Sequence, residues 1–241
     1  MKLCFFGTGH GVPEAHKKCA STLLQVGENY YLIDAGCDIA SELAQKRIPF
    51  EKVKAIFITH PHSDHTNGLV PFLTLTLWYY TASNPAIYLP SQDLLKSYKE
   101  CILPGLRVTL RPEQRLTAYE NGVIYDDGVI KVTAFPTEHC PDAHAFLVEA
   151  EGKRLLFSGD LWNPKVDFPP VDDLDAAIVE GAHFSIMDYE EVFRERNIKA
   201  AYINHYGNYI GYMNSHNLAP LQAAVAPMPV LLTTDGMDIE V

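Results

Sequence analysis

The sequence predicts a layered α/β protein with mixed sheets. In the first part of the chain, short apolar and β-branched runs follow one another across glycine turns, whereas later runs of this type alternate with helical segments. A strand of the buried type, Val53–Ile58, stops at a polar loop that is rich in histidine. Together these observations favour locally paired strands first and strand–helix alternation afterwards, which is the order of a layered α/β architecture.

The predicted elements follow from periodicity and turn residues. Lys2–Phe6 is typical of a strand, and a glycine-rich loop from Gly7 to Pro13 follows it. Ser21–Val26 and Tyr30–Asp34 are predicted to pair around a turn at residues 27–29. Further strands are predicted at Ile87–Leu89, Val129–Phe135, Ala145–Ala150, Arg154–Ser158, Ala177–Glu180, Ala201–Asn204 and Val230–Leu232, and helices at Asp38–Lys46, Gln92–Cys101 and Tyr189–Asn197.

Composition restricts the class of protein. The 241 residues are 47% hydrophobic and 20% charged, as in ordinary globular chains, and we find no tandem repeat or linker. We therefore expect a single domain over residues 1–241. The net charge of -11, without a visible Lys/Arg cluster, argues against the binding of an extended nucleic acid. A small anionic substrate stays compatible with this charge, because a bound metal ion can dominate the local field.

The compartment is indicated by the cysteines and by the apolar runs. Five cysteines without a CxxC pair are typical of reduced thiols in a cytosolic protein. The apolar run near the first residue ends at Gly7, which is too early for a secretory signal. The run Leu69–Trp78 is interrupted by Pro71 and by threonines, so it is not expected to span a bilayer. We therefore expect a cytoplasmic protein without a membrane segment.

The loop after Val53–Ile58, residues 60–65, carries four potential metal ligands, and we name it the histidine loop. His60 and His62 are two positions apart, so both imidazoles can converge on one cation. Asp64 and His65 then face a second position. Imidazole and carboxylate are the ligands that zinc and its neighbours in the first transition row favour. A solvated turn that happens to be rich in histidine is the plainer alternative.

The segment Thr59–His65 resembles the signature of the metallo-β-lactamase superfamily. Leu32–Gly36 is similar to that family's early strand-Asp-Gly element, Phe157–Asp160 to its Ser-Gly-Asp element, and Asp235 with the next glycine to its usual ending. The resemblance covers essentially the whole chain and is greatest to the phosphodiesterase and tRNA 3′-processing branch. It implies a four-layer αβ/βα sandwich of two mixed sheets flanked by helices, with a metal centre where loops of the two halves meet.

The resemblance also implies ligands for two divalent metal ions, with zinc expected and manganese or iron as alternatives. The first ion would be held by His60, His62 and His139, the second by Asp64, His65 and His205, and Asp160 would bridge the two. His144 competes with His139 for the third position. His139 is preferred because His144 abuts the next predicted strand.

The chemistry that follows is hydrolysis by a hydroxide bridged between the two metals. Asp64 and His183 are the candidate catalytic residues. His183 follows a predicted strand end and lies 22 residues before His205, which resembles the position of the histidine that assists the leaving group in the phosphodiesterase branch. A role in packing is the alternative for His183.

Other side chains are candidates for supporting roles. Asp34 and Glu180 are expected to orient ligand histidines by accepting their second ring N–H. For Asp34, a cap of the helix that begins near Asp38, or hydrogen bonds within the turn alone, is the alternative. Tyr206, Tyr209 and Tyr212 follow His205 closely, and they either line the pocket or pack at the surface.

A small phosphodiester, such as a cyclic phosphate or a cyclic nucleotide, is the leading hypothesis for the substrate. The tRNA-processing members of the family carry a tRNA-binding arm between the third histidine and the bridging aspartate. Only 20 residues separate His139 from Asp160, which leaves no room for such an arm. An acyl-bond hydrolase for a thioester or lactone, and a non-catalytic binding module braced by metal, stay open as alternatives. The resemblance to the family also implies a homodimer.

Overall fold

The computed structural model describes residues 1–107, 109, 116–207 and 217–241. The strands are β1 (Lys2–Gly7), β2 (Ser21–Val26), β3 (Asn29–Ile33), β4 (Val53–Phe57), β5 (Ala86–Leu89), β6 (Leu116–Ala118), β7 (Gly122–Asp126), β8 (Lys131–Pro136), β9 (His144–Ala150), β10 (Lys153–Phe157), β11 (Ala176–Glu180), β12 (Ala201–Asn204), β13 (Val230–Leu232) and β14 (Asp238–Glu240). The helices are α1 (Ile39–Gln45), α2 (Ser63–Thr66), α3 (Leu69–Trp78), α4 (Gln92–Ser97), α5 (Leu103–Gly105), α6 (Pro164–Asp167), α7 (Tyr189–Glu195) and α8 (Ala219–Val225).

The strands form two seven-stranded sheets that repeat one pattern of pairing. The first sheet has the order β14-β1-β2-β3-β4-β5-β6; it is antiparallel from β14 to β3 and parallel from β3 to β6. The second has the order β13-β12-β11-β10-β9-β8-β7; it is antiparallel from β7 to β10 and parallel from β10 to β13. Both sheets are mixed, as predicted, because hairpins join the antiparallel strands and longer crossovers join the parallel ones.

Central strands are buried on both faces of their sheets. In β1, Leu3 and Phe5 pack into a cluster that also contains Phe146 and Leu155 of the second sheet, so this cluster lies between the sheets. Phe6 points the other way and belongs to a cluster that contains the helices of the first half. Because strand side chains alternate between faces, a strand covered on both sides must be apolar at nearly every position.

Helices cover the two outer faces. Leu43 of α1 and Phe72 of α3 are fully buried in the outer cluster of the first sheet. Tyr189 of α7 and Leu221 of α8 occupy the corresponding cluster of the second sheet. The order of layers is therefore helices, sheet, sheet, helices, and the predicted αβ/βα sandwich is confirmed.

The structure contains elements that the sequence patterns did not predict. The run Leu69–Trp78 forms α3, with Pro71 in the first turn, where a missing N–H removes no helical hydrogen bond. Strand β14 is a three-residue edge strand that pairs with β1, and it carries too little periodicity to be recognised. The predicted helix at Gln92–Cys101 starts as α4 and continues as a π-helical turn at Tyr98–Ile102. No helix of the described part of the chain is long and apolar enough to cross a bilayer.

Gly36 provides a test of how closely the histidine loop packs against the segment that follows β3. A Cβ atom at this position would lie 1.7 Å from the carbonyl oxygen of Asp64, so the two backbone segments touch. We expect Gly36→Ala to lower the free energy of unfolding by about 1–3 kcal/mol or more, because the overpacked backbone must shift. Gly105→Ala is the matched control, since nothing lies within 4 Å of the added carbon. Urea unfolding measures both variants, and equal stability of the two would contradict this close packing.

Candidate metal centre

The predicted ligands lie where the carboxyl ends of strands from both sheets meet. The histidine loop follows β4 of the first sheet, and Asp64 and His65 lie on the single turn α2. Asp160 follows β10 of the second sheet and His205 follows β12. Loops at this edge of a mixed or parallel sheet can converge, whereas the strands themselves are fixed by their ladders. The sandwich therefore brings residues that are up to 145 positions apart, such as His60 and His205, into one cluster.

The first group of ligand atoms is compact. His60 Nε2 and His139 Nε2 each lie 3.1 Å from His62 Nδ1. Asp160 Oδ2 lies 3.5 Å from His60 Nε2 and 3.6 Å from His139 Nε2. One ligand atom from each of these four residues lies within 4.8 Å of the others. Such a set of three imidazoles and one carboxylate can surround a single divalent cation.

The second group lies beside the first. His65 Nε2 is 3.1 Å from His205 Nε2, and Asp64 Oδ2 is 3.2 Å from the same His205 atom. Asp160 Oδ1 lies 3.4 Å from His65 Nε2 and 3.4 Å from His205 Nδ1. Asp160 thus directs one carboxylate oxygen at each group, which is the geometry that a bridging ligand needs.

The buried polar atoms fit a pair of divalent metal ions. Among the residues that the structure describes, Asp160 Oδ1 and His205 Nδ1 are buried without a hydrogen-bond partner. Unpaired buried polar atoms are costly, so they indicate a ligand that satisfies them. His60, His62, His139 and Asp160 would hold one ion, and Asp64, His65, His205 and Asp160 the other. The predicted ligands are all brought together, while their assignment as ligands stays a prediction.

The charge states of His60, His139 and Asp160 suit cations as well, whereas at His65 the lowering of the pKa by burial is outweighed by Asp160 and Asp34, which raise this pKa well above its usual value. Burial by itself would raise the pKa of Asp160, but the neighbouring rings of His205, His65 and His60 hold this pKa well below its usual range. Burial also lowers the pKa of His60 and of His139. Ionised carboxylates and neutral imidazoles are the forms that bind metals.

Asp34 supports the centre from the end of β3. Its Oδ2 lies 2.8 Å from His65 Nδ1, so the predicted orienting role corresponds to a direct contact. Its Oδ1 accepts hydrogen bonds from the backbone N–H and the hydroxyl of Thr59. Asp34 has a φ of 61°, a left-handed conformation that aspartate tolerates better than most residues. This carboxylate therefore fixes one ligand ring and the start of the histidine loop together.

Gly159 explains the Ser-Gly-Asp sequence after β10. Its φ is 56°, and a Cβ would lie 2.5 Å from the carbonyl oxygen of His144. Glycine is thus required both by the left-handed backbone and by the close approach of β9. The tight turn directs the next side chain, that of Asp160, into the centre.

His183 lies at the rim, beside both groups of ligands. Its Nδ1 lies 2.9 Å from Glu180 Oε2, and Glu180 also accepts hydrogen bonds from the backbone of Leu161 and Ala182. The His183 ring centroid is 4.6 Å from that of His139 and 5.7 Å from that of His205. Glu180 therefore orients His183, rather than one of the seven predicted ligands.

The pKa of His183 favours a proton donor. Burial opposes the charged form, but the hydrogen bond and the charge of Glu180, together with Asp160, raise the pKa to about 9. The side chain is still 36% exposed, so the ring can reach a substrate.

His144 does not belong to the cluster. Its Nδ1 lies 3.0 Å from the carbonyl oxygen of Asp142 and its Nε2 lies 3.1 Å from Asn121 Oδ1. The preference for His139 over His144 therefore agrees with the geometry, because both ring nitrogens of His144 contact Asp142 and Asn121, and His144 is in none of the groups of ligand atoms.

The sequence patterns did not indicate the partners of two residues near the chain end, Asp235 and Tyr206. Asp235 accepts hydrogen bonds from the backbone of Thr8 and Lys18, and so joins the start of the glycine-rich loop to the segment that follows it. The aspartate pattern near the chain end was noticed, but its partners are more than 200 positions away. Tyr206 is buried and its hydroxyl donates to the Thr233 carbonyl, which makes it a packing residue. Tyr209 and Tyr212 lie outside the described residues.

Comparisons with known sequences show a family match and several similar proteins. Residues 1–205 match a protein-family model described as anti-Pycsar protein Apyc1. Ribonuclease Z of Listeria monocytogenes serovar 1/2a is 33% identical over 175 residues, which are 71% of this chain and 56% of that protein. Ribonuclease Z of Mycobacterium marinum is 27% identical and covers 73% of this chain and 67% of its own length. The chain spans little more than half of the first of these relatives.

Solved structures show the same fold. The metallo-β-lactamase fold protein YhfI from Bacillus subtilis superposes with a TM-score of 0.81 at 18% identity, over 100% of this chain and 99% of that one. The short form of human tRNase Z gives 0.71 at 19% identity, over 100% and 99%. A diphosphatase from the PhnP family gives 0.71 at 19%, over 100% and 97%. The metallo-β-lactamase fold implied by the resemblance is therefore confirmed.

The unpaired atoms of the centre lead to a prediction about zinc. We expect zinc to raise the melting temperature of the metal-stripped protein, because an ion that binds only the folded state stabilises it by about 2.7 kcal/mol at a hundredfold excess over its Kd. In Asp160→Asn the shift should be much smaller, since one amide cannot bridge two ions. Differential scanning calorimetry with and without zinc measures the shift. An equal shift in both proteins would rule out Asp160 as the bridge.

Proposed function

The chain belongs to the family of the anti-Pycsar protein Apyc1, and on this premise we propose that it is a metal-dependent hydrolase of small phosphodiesters such as cyclic phosphates or cyclic nucleotides. The observation that carries the proposal is the buried Asp160, which directs one oxygen at each of two groups of imidazole and carboxylate ligands. Zinc is the proposed metal, with manganese or iron as alternatives, because the donor set is nitrogen and oxygen. The ribonuclease Z sequences and the structural similarity to a diphosphatase of the PhnP family support a hydrolase.

Cleavage of a phosphodiester at this centre would need two contributions, from the metal ions and from a proton donor. Two divalent ions at such a centre lower the pKa of water and polarise a phosphoryl oxygen. The seven predicted ligands would hold this centre, and the carboxylate of Asp64, which is part of the second group, lies against Gly11 of the glycine-rich loop. Phosphodiester cleavage then requires a proton for the leaving oxygen, because an alkoxide is a poor leaving group.

His183 is proposed as the donor of this proton. Glu180 accepts from His183 Nδ1 at 2.9 Å, which leaves Nε2 for the substrate. The raised pKa keeps a proton on the ring at neutral pH, and the exposed part of the ring lies beside His139 and His205. Packing alone does not require a carboxylate with this orientation, so the contacts favour the acid role.

The segment between the third histidine and the bridging aspartate supports a small substrate. Strands β9 and β10 pair directly, and residues 151 and 152 form the tight turn between them with φ values of 52° and 70°. No arm is inserted in residues 140–159, all of which the structure describes. The net charge of -11 is also unfavourable for gripping a long polyanion.

Processing of tRNA is a second candidate function. It is favoured by the 33% identity to a ribonuclease Z over 175 residues. That relative is longer than this chain, and its name describes the whole protein. A precursor tRNA therefore belongs among the substrates to be tested.

A homodimer is proposed as the assembly. Trp78, Tyr79 and Tyr80 at the end of α3 are between 48% and 71% exposed. Adjacent large aromatic side chains of this exposure are typical of a surface that another protein covers, and this supports the proposal.

The central experiment measures metal-dependent turnover. The metal-stripped protein, reloaded with zinc or manganese, is assayed on bis-p-nitrophenyl phosphate, on a thioester and on a precursor tRNA. We expect diester cleavage that is abolished by chelation and reduced at least ~100-fold in Asp64→Ala, because a metal ligand is lost. Asp126→Ala, at the turn on the far end of β8, is the control and should retain activity. Cleavage of the thioester alone or of tRNA alone would replace the proposed substrate class, and no turnover at all would favour a binding module.

The acid role of His183 is tested by varying the leaving group. We expect His183→Ala to lower kcat by ~10²–10⁴ for a diester with an alkoxide leaving group, in line with general acid catalysis. A p-nitrophenolate leaves without a proton, so its diester should lose much less. The zinc content of the variant is the control, because His183 is not one of the seven ligands. Equal losses for both diesters, or loss of a metal ion, would contradict the acid role.

A further inference from the structure

The third histidine and the bridging aspartate lie on two loops that no sheet ladder joins. His139 follows β8, and Asp160 follows β10. Strand β9 lies between β8 and β10, so the two loops start about 10 Å apart, at the usual spacing of strands. Both loops must nevertheless place ligand atoms 3.6 Å apart, at His139 Nε2 and Asp160 Oδ2. Other contacts must therefore hold the loops together.

Asp167 provides such contacts with a single carboxylate. Its Oδ2 accepts hydrogen bonds from the backbone N–H of Glu138 at 2.9 Å and of Trp162 at 2.8 Å. Its Oδ1 accepts a third bond, from the backbone N–H of Asn163 at 3.1 Å. Glu138 immediately precedes His139, and Trp162 follows Asp160 by two positions. One side chain thus ties both ligand loops together.

Thr137 adds a second tie between the same loops. Its hydroxyl donates a hydrogen bond of 2.9 Å to the backbone carbonyl of Asp160. Asp167 is 9% exposed and Thr137 is 7% exposed, so water competes little for either contact. We name these two residues the loop clamp.

The short helix α6 places Asp167 in this position. Asn163 caps the helix and accepts a hydrogen bond from the backbone of Lys165, and the backbone of Asp167 donates to the Asn163 carbonyl. The single turn folds the chain back, so that the carboxylate at its end faces the loop from which the helix starts. Pro164 at the first position of the helix suits this tight start.

The free-energy cost of burying the Asp167 carboxylate indicates that this residue does more than stabilise the single turn of α6. Within the described residues the carboxylate has no salt bridge, and a buried charge is unfavourable unless hydrogen bonds satisfy it. Three backbone N–H groups satisfy it here, and they belong to the segments that must not move when a metal is bound. Metal ligands must be held to within roughly 0.5 Å for productive geometry.

We propose that Asp167 and Thr137 are positioning residues of the metal centre, which hold the His139 loop and the Asp160 loop at the separation that the first group of ligands requires. Neither residue touches a metal or the substrate; both act through the backbone of the ligand loops. The inference rests on the metal centre of the proposed function, but not on the identity of the substrate.

The test measures zinc affinity and stability separately. Asp167→Asn replaces an acceptor by an amide that cannot accept all three bonds, and Thr137→Val keeps the side-chain shape without the hydroxyl. Asp127→Asn is the matched control, because Asp127 also accepts backbone hydrogen bonds, from Val129 and Ile130, but lies at the far end of β8. Zinc binding is titrated in competition with a chromophoric chelator, and urea unfolding of the metal-free proteins gives their stability.

The expected result is a weaker site in the clamp variants only. Asp167→Asn should lower the affinity for one of two zinc ions by ~10–100-fold, as for other groups that support metal ligands. Thr137→Val should produce a smaller loss of the same kind. Asp127→Asn should lower the stability and leave both zinc affinities within about twofold of the wild type, by the same reasoning.

Unchanged zinc affinities in Asp167→Asn and Thr137→Val would overturn the loop clamp, even if both variants were less stable. If Asp167→Asn does not fold, Thr137→Val decides the matter by itself. Failure of the proposed function is recognised separately. A wild-type protein that binds no zinc removes the centre and the clamp with it, whereas a protein that binds two zinc ions tightly but cleaves no diester leaves the affinity differences, and hence the clamp, in place.

Discussion

The burial of the Asp160 carboxylate between the two halves of the sandwich is the constraint on which the centre depends. This group is ionised, fully enclosed, and faced by rings of His60, His65 and His205. A charge in such a position is tolerated only when opposite charge or hydrogen bonds compensate it. The surrounding loops must therefore pack closely against the Asp160 carboxylate. Hydrogen bonds from backbone N–H groups at this edge of the sheets hold these loops in place.

The supporting contacts come in two kinds. Carboxylates such as Asp34 and Glu180 contact the rings of His65 and His183, and such contacts fix the tautomer of an imidazole. Others, such as Asp167 and Asp235, accept backbone N–H groups and fix the path of whole loops. The first kind orients individual histidine rings, and the second kind determines which segments lie side by side. The net charge of -11 thus includes carboxylates that are buried inside the fold and contribute little to the charge of the outer surface.

The repetition of one pairing pattern in both sheets has a functional consequence. In each sheet an antiparallel part is followed by parallel strands, so the carboxyl ends of the parallel strands of both halves lie at one edge. Ligands can therefore come from both halves while the strands stay rigid. The helices on the outer faces allow the strands to be apolar on both faces.

The sequence by itself determined the local parts of this protein. The histidine loop, the hairpin of β2 and β3, the buried strand before the loop and the glycine of Ser-Gly-Asp were predictable, because neighbouring residues set periodicity, turns and ligand spacing. The resemblance of these motifs to a known family extended the prediction to His139, Asp160 and His205, whose spacing alone does not connect them.

Only the tertiary structure decided the contacts between distant segments. Edge strand β14 and helix α3 exist because other parts of the chain cover them, and their own residues carry weak or ambiguous patterns. The same is true of Asp167, which has no unusual neighbours in sequence, yet joins two loops across an intervening strand. The packing of the sheets determines which backbone N–H groups such a carboxylate contacts. No local property of the sequence indicates which of these groups lie close together in space.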